Sequence, residues 1–204
     1  RRGELIRFDV KSGQFVPYLS GMSAEHLDFS RDGEWVAYVA YPEATLWRAK
    51  PDGSQRLQLT FPPMLAAEPH WSPDGKRIAF MARVPGSPWK IHLMSAQGGT
   101  PKQLMPGARN EIDLSWSPNG NALVFGYADV LEAETAGVVT VHLLDLRTQQ
   151  VSTLPGSEGR AAPVWSPNGR YIAAWGEGTH KLLLYDFTSQ TWAELADIPV
   201  GYTS

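Results

Sequence analysis

The stretch Trp71-Ser72-Pro73-Asp74-Gly75, followed by the apolar run Ile78-Ala79-Phe80, recurs in close copies along the chain. In Ser-Pro-Asp-Gly the proline presets φ for a type I turn, the aspartate tolerates the next position, and the glycine supplies the positive φ that reverses the chain. An aromatic residue stands before the turn and an apolar run after it. The stretch therefore predicts two antiparallel strands joined as a hairpin.

Three further copies turn this hairpin into a repeat. They are Phe29-Ser30-Arg31-Asp32-Gly33, Trp116-Ser117-Pro118-Asn119-Gly120 and Trp165-Ser166-Pro167-Asn168-Gly169. The turn glycines Gly33, Gly75, Gly120 and Gly169 are 42, 45 and 49 residues apart. A second pair of strand-like segments follows each hairpin, as in 45–49 and 55–59. Four short strands in each repeat of this length are typical of a β-propeller blade.

The repeat resembles the WD40-like propeller repeat of TolB-type proteins, which carry the same Trp-Ser-Pro-Asp-Gly turn before an apolar strand. Similar repeats form the propeller of prolyl-oligopeptidase-type peptidases and the sensory domain of some bacterial winged-helix regulators. The resemblance covers residues 4–204, although no Trp-Asp or Gly-His pair ends a repeat as in true WD40 proteins. It implies an all-β propeller of four-stranded antiparallel blades.

The chain is predicted to be a single, partial propeller domain over residues 1–204. The predicted blades are a half blade at 4–21, full blades at 22–60, 64–105, 108–155 and 158–196, and the start of another at 197–204. Propellers of the resembled family have six or more blades, so we expect a fragment of a larger propeller. Exposed blade edges favour pairing with other copies, which predicts a homo-oligomer. The insertion at 128–137 is expected to be a solvated loop.

Composition excludes several classes of function. The chain has 204 residues, a net charge of −3 and no cysteine, which excludes disulfides, a thiolate nucleophile and Cys-ligated metals. No Lys/Arg stripe is present, so nucleic-acid binding by this segment is not expected. No apolar run approaches the length of a membrane helix, so membrane insertion is not expected either. A chain without cysteine suits the bacterial periplasm or the cytoplasm, and the compartment stays open.

Polar residues before each turn are the candidates for a ligand site, because the first strand of a propeller blade lines the central channel. His26, Glu68 and Asp113 stand seven residues before the turn glycine, and Asp28 and His70 stand five before it. Strand alternation predicts that the two members of a pair share a face. Imidazole and carboxylate groups at the channel mouth would suit a polar ligand or a divalent metal, whose identity is unknown. The alternative is that each group simply bonds the backbone of a neighbouring strand.

A hydrolase needs an activated nucleophile, and the sequence contains no Gly-x-Ser-x-Gly elbow. The repeated serines Ser30, Ser72, Ser117 and Ser166 lie in the turn phrase, where a hydroxyl bonds the turn backbone. The loop Gln97-Gly98-Gly99-Thr100 joins two strands and precedes no helix, so no phosphate-binding cofactor is predicted. We therefore expect a non-catalytic scaffold or sensory domain that binds a protein or peptide, as the resemblance to TolB-type propellers implies. The alternatives are an accessory propeller of a prolyl-oligopeptidase-type serine peptidase, and metal or small-ligand binding at the channel mouth.

Overall fold

The computed structural model describes residues 5–18, 23–128, 139–176 and 178–198. In these ranges every regular element is a β-strand. The first two strands, β1 (Ile6–Asp9) and β2 (Gln14–Pro17), form a hairpin. The remaining strands form four four-stranded sheets: β3 (Ala24–Phe29), β4 (Val36–Ala40), β5 (Thr45–Ala49) and β6 (Leu57–Gln58); β7 (Leu65–Trp71), β8 (Arg77–Arg83), β9 (Lys90–Ser95) and β10 (Lys102–Gln103); β11 (Asn110–Trp116), β12 (Ala122–Ala128), β13 (Thr140–Asp145) and β14 (Val151–Thr153); β15 (Arg160–Trp165), β16 (Tyr171–Gly176), β17 (Lys181–Asp186) and β18 (Thr191–Asp197).

Within each sheet the strands pair in chain order, as antiparallel neighbours. This confirms the predicted all-β fold with four complete four-stranded blades of the propeller type. The predicted loop at 128–137 lies outside the described residues from position 129 onward, and so does the predicted strand at 197–204 from position 199 onward. No helix in the described part of the chain is long and apolar enough to cross a membrane.

The turn phrase owes its shape to its own side chains. In the second sheet Gly75 has φ +67° and its N–H donates to Ser72 O at 2.9 Å. The Ser72 hydroxyl accepts from Arg77 N at 3.0 Å, and Asp74 Oδ1 accepts from Lys76 N at 3.0 Å. A Cβ at Gly75 would meet nothing within 4 Å, so the positive φ favours glycine at this position and lack of space does not. Similar positive φ values occur at Gly33, Gly120 and Gly169.

The chain forms two compact units. One comprises Arg1–Ser87 and His92–Gln103, and the other comprises Pro88–Ile91 and Leu104–Ser204. In the first unit Trp71 is only 6% exposed and belongs to one apolar cluster with Val39, Leu46 and Phe80. The repeated phrase predicts that its tryptophans are buried between blades, and this is confirmed for Trp71. The single-domain prediction over 1–204 stays a prediction.

The second unit has its own apolar cluster, which contains Val124, Val141 and Ile172. Trp116 is buried, as predicted, at 8% exposure. Trp165 is only partly buried, and its ring stacks on Phe187 with 5.4 Å between ring centroids. The prediction of burial is therefore wrong for this third tryptophan.

Candidate functional site

A β-bulge interrupts the first strand of every four-stranded sheet. The register shifts between Glu25 and Asp28, Ala67 and His70, Ile112 and Ser115, and Ala161 and Val164. The residue at each bulge has a left-handed backbone: φ is 49° at His26, 45° at Glu68, 55° at Asp113 and 49° at Ala162. This conformation costs an L-residue on the order of 1–3 kcal/mol and is often found at functional positions. The repeated strain coincides with three of the five predicted ligand residues.

The bulge invalidates the argument from strand alternation. In β3, Glu25 pairs with Val39 and Asp28 pairs with Ala37. Three steps along β3 therefore match two steps along β4, because a bulge inserts one extra residue. Strand alternation holds only in an unbroken pleat, so it no longer supports placing the residues seven and five before the turn glycine on one face, and their shared face stays a prediction.

Asp28 and His70 are brought together in the first unit. Asp28 Oδ2 accepts from Trp71 N at 2.7 Å and lies 4.0 Å from His70 Nδ1. Burial raises the pKa of Asp28, and the hydrogen bond from Trp71 opposes that rise. Burial also lowers the pKa of His70, which the charge of Asp28 opposes. The carboxylate thus links β3 to β7 through a backbone N–H.

Asp113 plays a similar part in the second unit. Its Oδ2 accepts from Ala162 N at 3.3 Å, and burial raises its pKa. Ser115 stands at the position of Asp28 in its own repeat, and its Oγ accepts from Trp165 N at 3.1 Å. A side chain five residues before the turn glycine therefore bonds the N–H of the next turn tryptophan in both units. For Asp28 and Asp113 this is the backbone-bonding alternative that the sequence left open.

The remaining predicted residues are His26 and Glu68, which occupy the bulges of β3 and β7 in the first unit. The His26 charge lowers the pKa of His70, so the two rings are within electrostatic reach. Across the described ranges, no group of three or more His, Asp and Glu side chains is arranged to hold a metal ion. A ligand site formed by His26, Asp28, Glu68, His70 and Asp113 stays a prediction.

A buried ion pair in the second unit was not foreseen from the sequence. Glu111 has no exposed surface, and its carboxylate pairs with the ammonium group of Lys90, whose side chain is 7% exposed. Glu111 Oε2 also accepts from Ile91 N at 2.8 Å. Burial raises the pKa of Glu111, and Lys90 opposes that rise.

Two other sheets satisfy the corresponding backbone N–H with a neutral hydroxyl. Leu46 N donates to Thr60 Oγ1 at 2.8 Å, and Val141 N donates to Ser157 Oγ at 3.1 Å. The charged pair therefore does the same structural work as these hydroxyls. The number of residues between donor and acceptor differs among these three sheets, so no fixed spacing in the sequence predicts the ion pair.

His142 in the second unit is a buried histidine with a strongly lowered pKa. The residue is 6% exposed, and its ring has Nε2 2.7 Å from Thr140 Oγ1 and Nδ1 3.2 Å from Thr153 Oγ1. Burial, followed by the charge of Arg109, lowers its pKa to about 4. A neutral imidazole with both nitrogens engaged is a poor general base at neutral pH. We assign His142 a structural role.

Comparison with solved structures identifies the class of fold. The chain is similar to TolB from Acinetobacter baumannii, with a TM-score of 0.74 and 21% identity over 97% of this chain and 49% of that one. It is also similar to a puromycin-hydrolyzing peptidase from Mycobacterium tuberculosis, with a TM-score of 0.71 and 16% identity over 96% of this chain and 32% of that one. The fold is therefore that of a TolB-type β-propeller, as the repeat predicted.

Sequence comparison adds a relative of greater identity. The uncharacterized protein YidR of Escherichia coli (strain K12) is 31% identical, over 64% of this chain and 32% of its own length. The chain thus spans about a third of that relative. No protein-family model matches the chain.

Proposed function

We propose that the chain is a non-catalytic scaffold that binds a protein or peptide through loops carried on rigid sheets. The observation that supports this best is the engagement of its polar first-strand residues with backbone. Asp28 and Ser115 each accept a hydrogen bond from the backbone N–H of a tryptophan in the first strand of the following sheet. Groups used in this way hold the sheets in register, and loops on a rigid framework are where binding residues concentrate.

The resemblance to TolB-type propellers agrees with this role, because such proteins use the propeller to dock other proteins. The same framework would serve a sensory domain, in which partner binding reports to another part of a longer protein. Fold similarity by itself assigns no function. The hydrogen-bonded state of the first-strand side chains is the stronger support.

The test is selection of binding peptides followed by a direct affinity measurement. A displayed random peptide library is selected on the purified chain, and the enriched peptides are synthesised with a fluorophore. Fluorescence anisotropy should then show saturable binding to the folded chain and none to the urea-unfolded chain. Failure of every enriched peptide to saturate would refute a peptide-binding scaffold.

The likeness to a peptidase favours a second candidate, an accessory propeller beside a catalytic domain. This candidate predicts an α/β-hydrolase segment with a Gly-x-Ser-x-Gly elbow in the same reading frame. Reading the flanking gene sequence tests it. A frame that encodes no such elbow would rule this candidate out and leave the scaffold.

A further inference from the structure

A cavity of about 190 Å³ lies at one end of the β3–β6 sheet, where β3 begins and β4 turns into β5. Its lining includes three aromatic and three polar side chains: Tyr38, Tyr41, Trp47, Ser23, Glu43 and Arg56. All of them belong to the first unit. None is among the ligand residues predicted from the sequence.

The aromatic wall is held by the sheet. Tyr38 and Trp47 stand opposite each other on β4 and β5. Trp47 Nε1 donates to Thr45 Oγ1 at 3.0 Å, which fixes the indole. Tyr41 N donates to Ser23 O at 3.0 Å, so the start of β3 stays beside the end of β4. Tyr41 is 43% exposed, so the residue is open to a ligand.

Hydrogen-bond donors lie beside this wall. Ser23 Oγ is buried and finds no hydrogen-bond partner among the residues that the structure describes. Buried hydroxyls are normally bonded, so this one marks a place where a ligand atom would be stabilised. Arg56 Nε donates to Gly53 O at 3.1 Å, and that contact uses only one of the five guanidinium N–H bonds. Burial raises the pKa of Tyr38 and Arg56 opposes that rise, so the guanidinium lies near the phenol.

The cavity carries one charge of each sign, on the exposed side chains of Glu43 and Arg56. Such a pair complements a small zwitterion. Arg56 and Ser23 suit a carboxylate, because charge-assisted hydrogen bonds to a carboxylate are strong. Glu43 suits an ammonium group, and the aromatic rings suit an apolar side chain. Pockets for drug-sized ligands hold about 300–1,000 Å³, so the smaller volume limits the ligand to a small metabolite.

We propose that this cavity binds a free α-amino acid with an apolar side chain. The α-carboxylate meets Arg56 and Ser23, the α-ammonium meets Glu43, and the side chain lies against Tyr41 and Trp47. Both charges of the cavity are then matched by one molecule. A peptide carboxyl terminus would satisfy Arg56 but would leave Glu43 without a cationic partner.

Calorimetry with L-leucine and two analogues tests the proposal on the intact 204-residue chain. N-acetyl-L-leucine lacks the ammonium charge and L-leucinamide lacks the carboxylate. We expect saturable binding of L-leucine and at least about tenfold weaker binding of each analogue. Arg56→Gln and Glu43→Gln should each weaken L-leucine binding by a similar factor. Arg147→Gln, which changes an exposed arginine of the other unit, should leave it unchanged.

The outcomes separate the possible occupants. No saturable binding of L-leucine by the folded chain would overturn the proposal. Equal affinity for L-leucinamide would show that Arg56 does not read a carboxylate, which also overturns it. Equal affinity for N-acetyl-L-leucine would assign the cavity to peptide carboxyl termini instead of free amino acids. Because Glu43 and Arg56 are exposed, circular dichroism of both variants should match that of the parent chain and exclude unfolding as the cause.

Discussion

Removing one partner of the buried Lys90–Glu111 pair should destabilise the fold far more than removing one partner of an exposed pair. The two side chains are 7% and 0% exposed. In Lys90→Met the carboxylate of Glu111 keeps its bond from Ile91 N and loses its counter-ion. In Glu111→Gln the ammonium group of Lys90 is the charge left buried. An uncompensated buried charge costs about 3–5 kcal/mol.

The double variant Lys90→Met/Glu111→Gln should be more stable than either single variant. It removes both buried charges, and the new amide oxygen can still accept from Ile91 N. Replacing a buried ion pair by neutral groups is often close to neutral in free energy. We expect the double variant to exceed each single variant in stability by about 2 kcal/mol or more.

Thermal melts followed by circular dichroism measure this directly. In a chain of this size each kcal/mol shifts the melting temperature by about 2–4 °C, so each single variant should melt about 6 °C or more below the parent. Lys181→Met is the matched control, because Lys181 and Glu194 are paired at 2.7 Å with both side chains 46% exposed. The free energy of unfolding of this control variant should differ from that of the parent by no more than about 1 kcal/mol. Equal shifts for Lys90→Met and Lys181→Met would refute the reasoning, and so would a double variant less stable than both singles.

Three further predictions concern stability. The pKa of His142 is about 4 in the folded chain and its ordinary value is 6.5, so the stability gained from the neutral ring is complete above pH 6.5 and is lost as pH falls toward 4. Urea unfolding at pH 5 should therefore show a free energy of unfolding about 2 kcal/mol lower than at pH 7. This loss should be missing in His142→Gln. Gly75→Val should unfold at a lower urea concentration than Gly75→Asn, by about 1 kcal/mol, because asparagine tolerates the observed φ of +67° and a β-branched residue does not; equal midpoints would contradict this reason for the glycine. Trp71→Ala should cost about 3–5 kcal/mol in urea unfolding, because it empties a position packed in the core cluster, and an unchanged midpoint would argue against that packing.

The turn phrase was sufficient to predict the sheets, because the interactions that form the turn are made by residues of the phrase itself. Ser72 and Asp74 bond the backbone of their own turn, and Gly75 supplies a conformation that no neighbour imposes. Repetition of the phrase then predicted the blades. The first three complete sheets lie inside the intervals read from the sequence, and the fourth ends at Asp197, one residue beyond its interval.

The candidate site was less predictable, because its geometry depends on contacts between strands. The bulge at His26 is a shift in the pairing register between β3 and β4, and no residue type in β3 predicts it. The buried pair of Lys90 and Glu111 joins residues 21 positions apart. The cavity beside Trp47 collects residues from β4, β5 and the connections around them. Such juxtapositions arise from pairing register, which an alternation rule describes only where the pleat is regular.

A non-catalytic scaffold should bind its peptide without cleaving it. The most direct test is an anisotropy titration of a selected peptide with the chain, after which mass spectrometry measures the mass of the recovered peptide. Saturable binding with an unchanged peptide mass is the expected result. A peptide that is recovered in cleaved form, or that never saturates the folded chain, would contradict a non-catalytic binding scaffold.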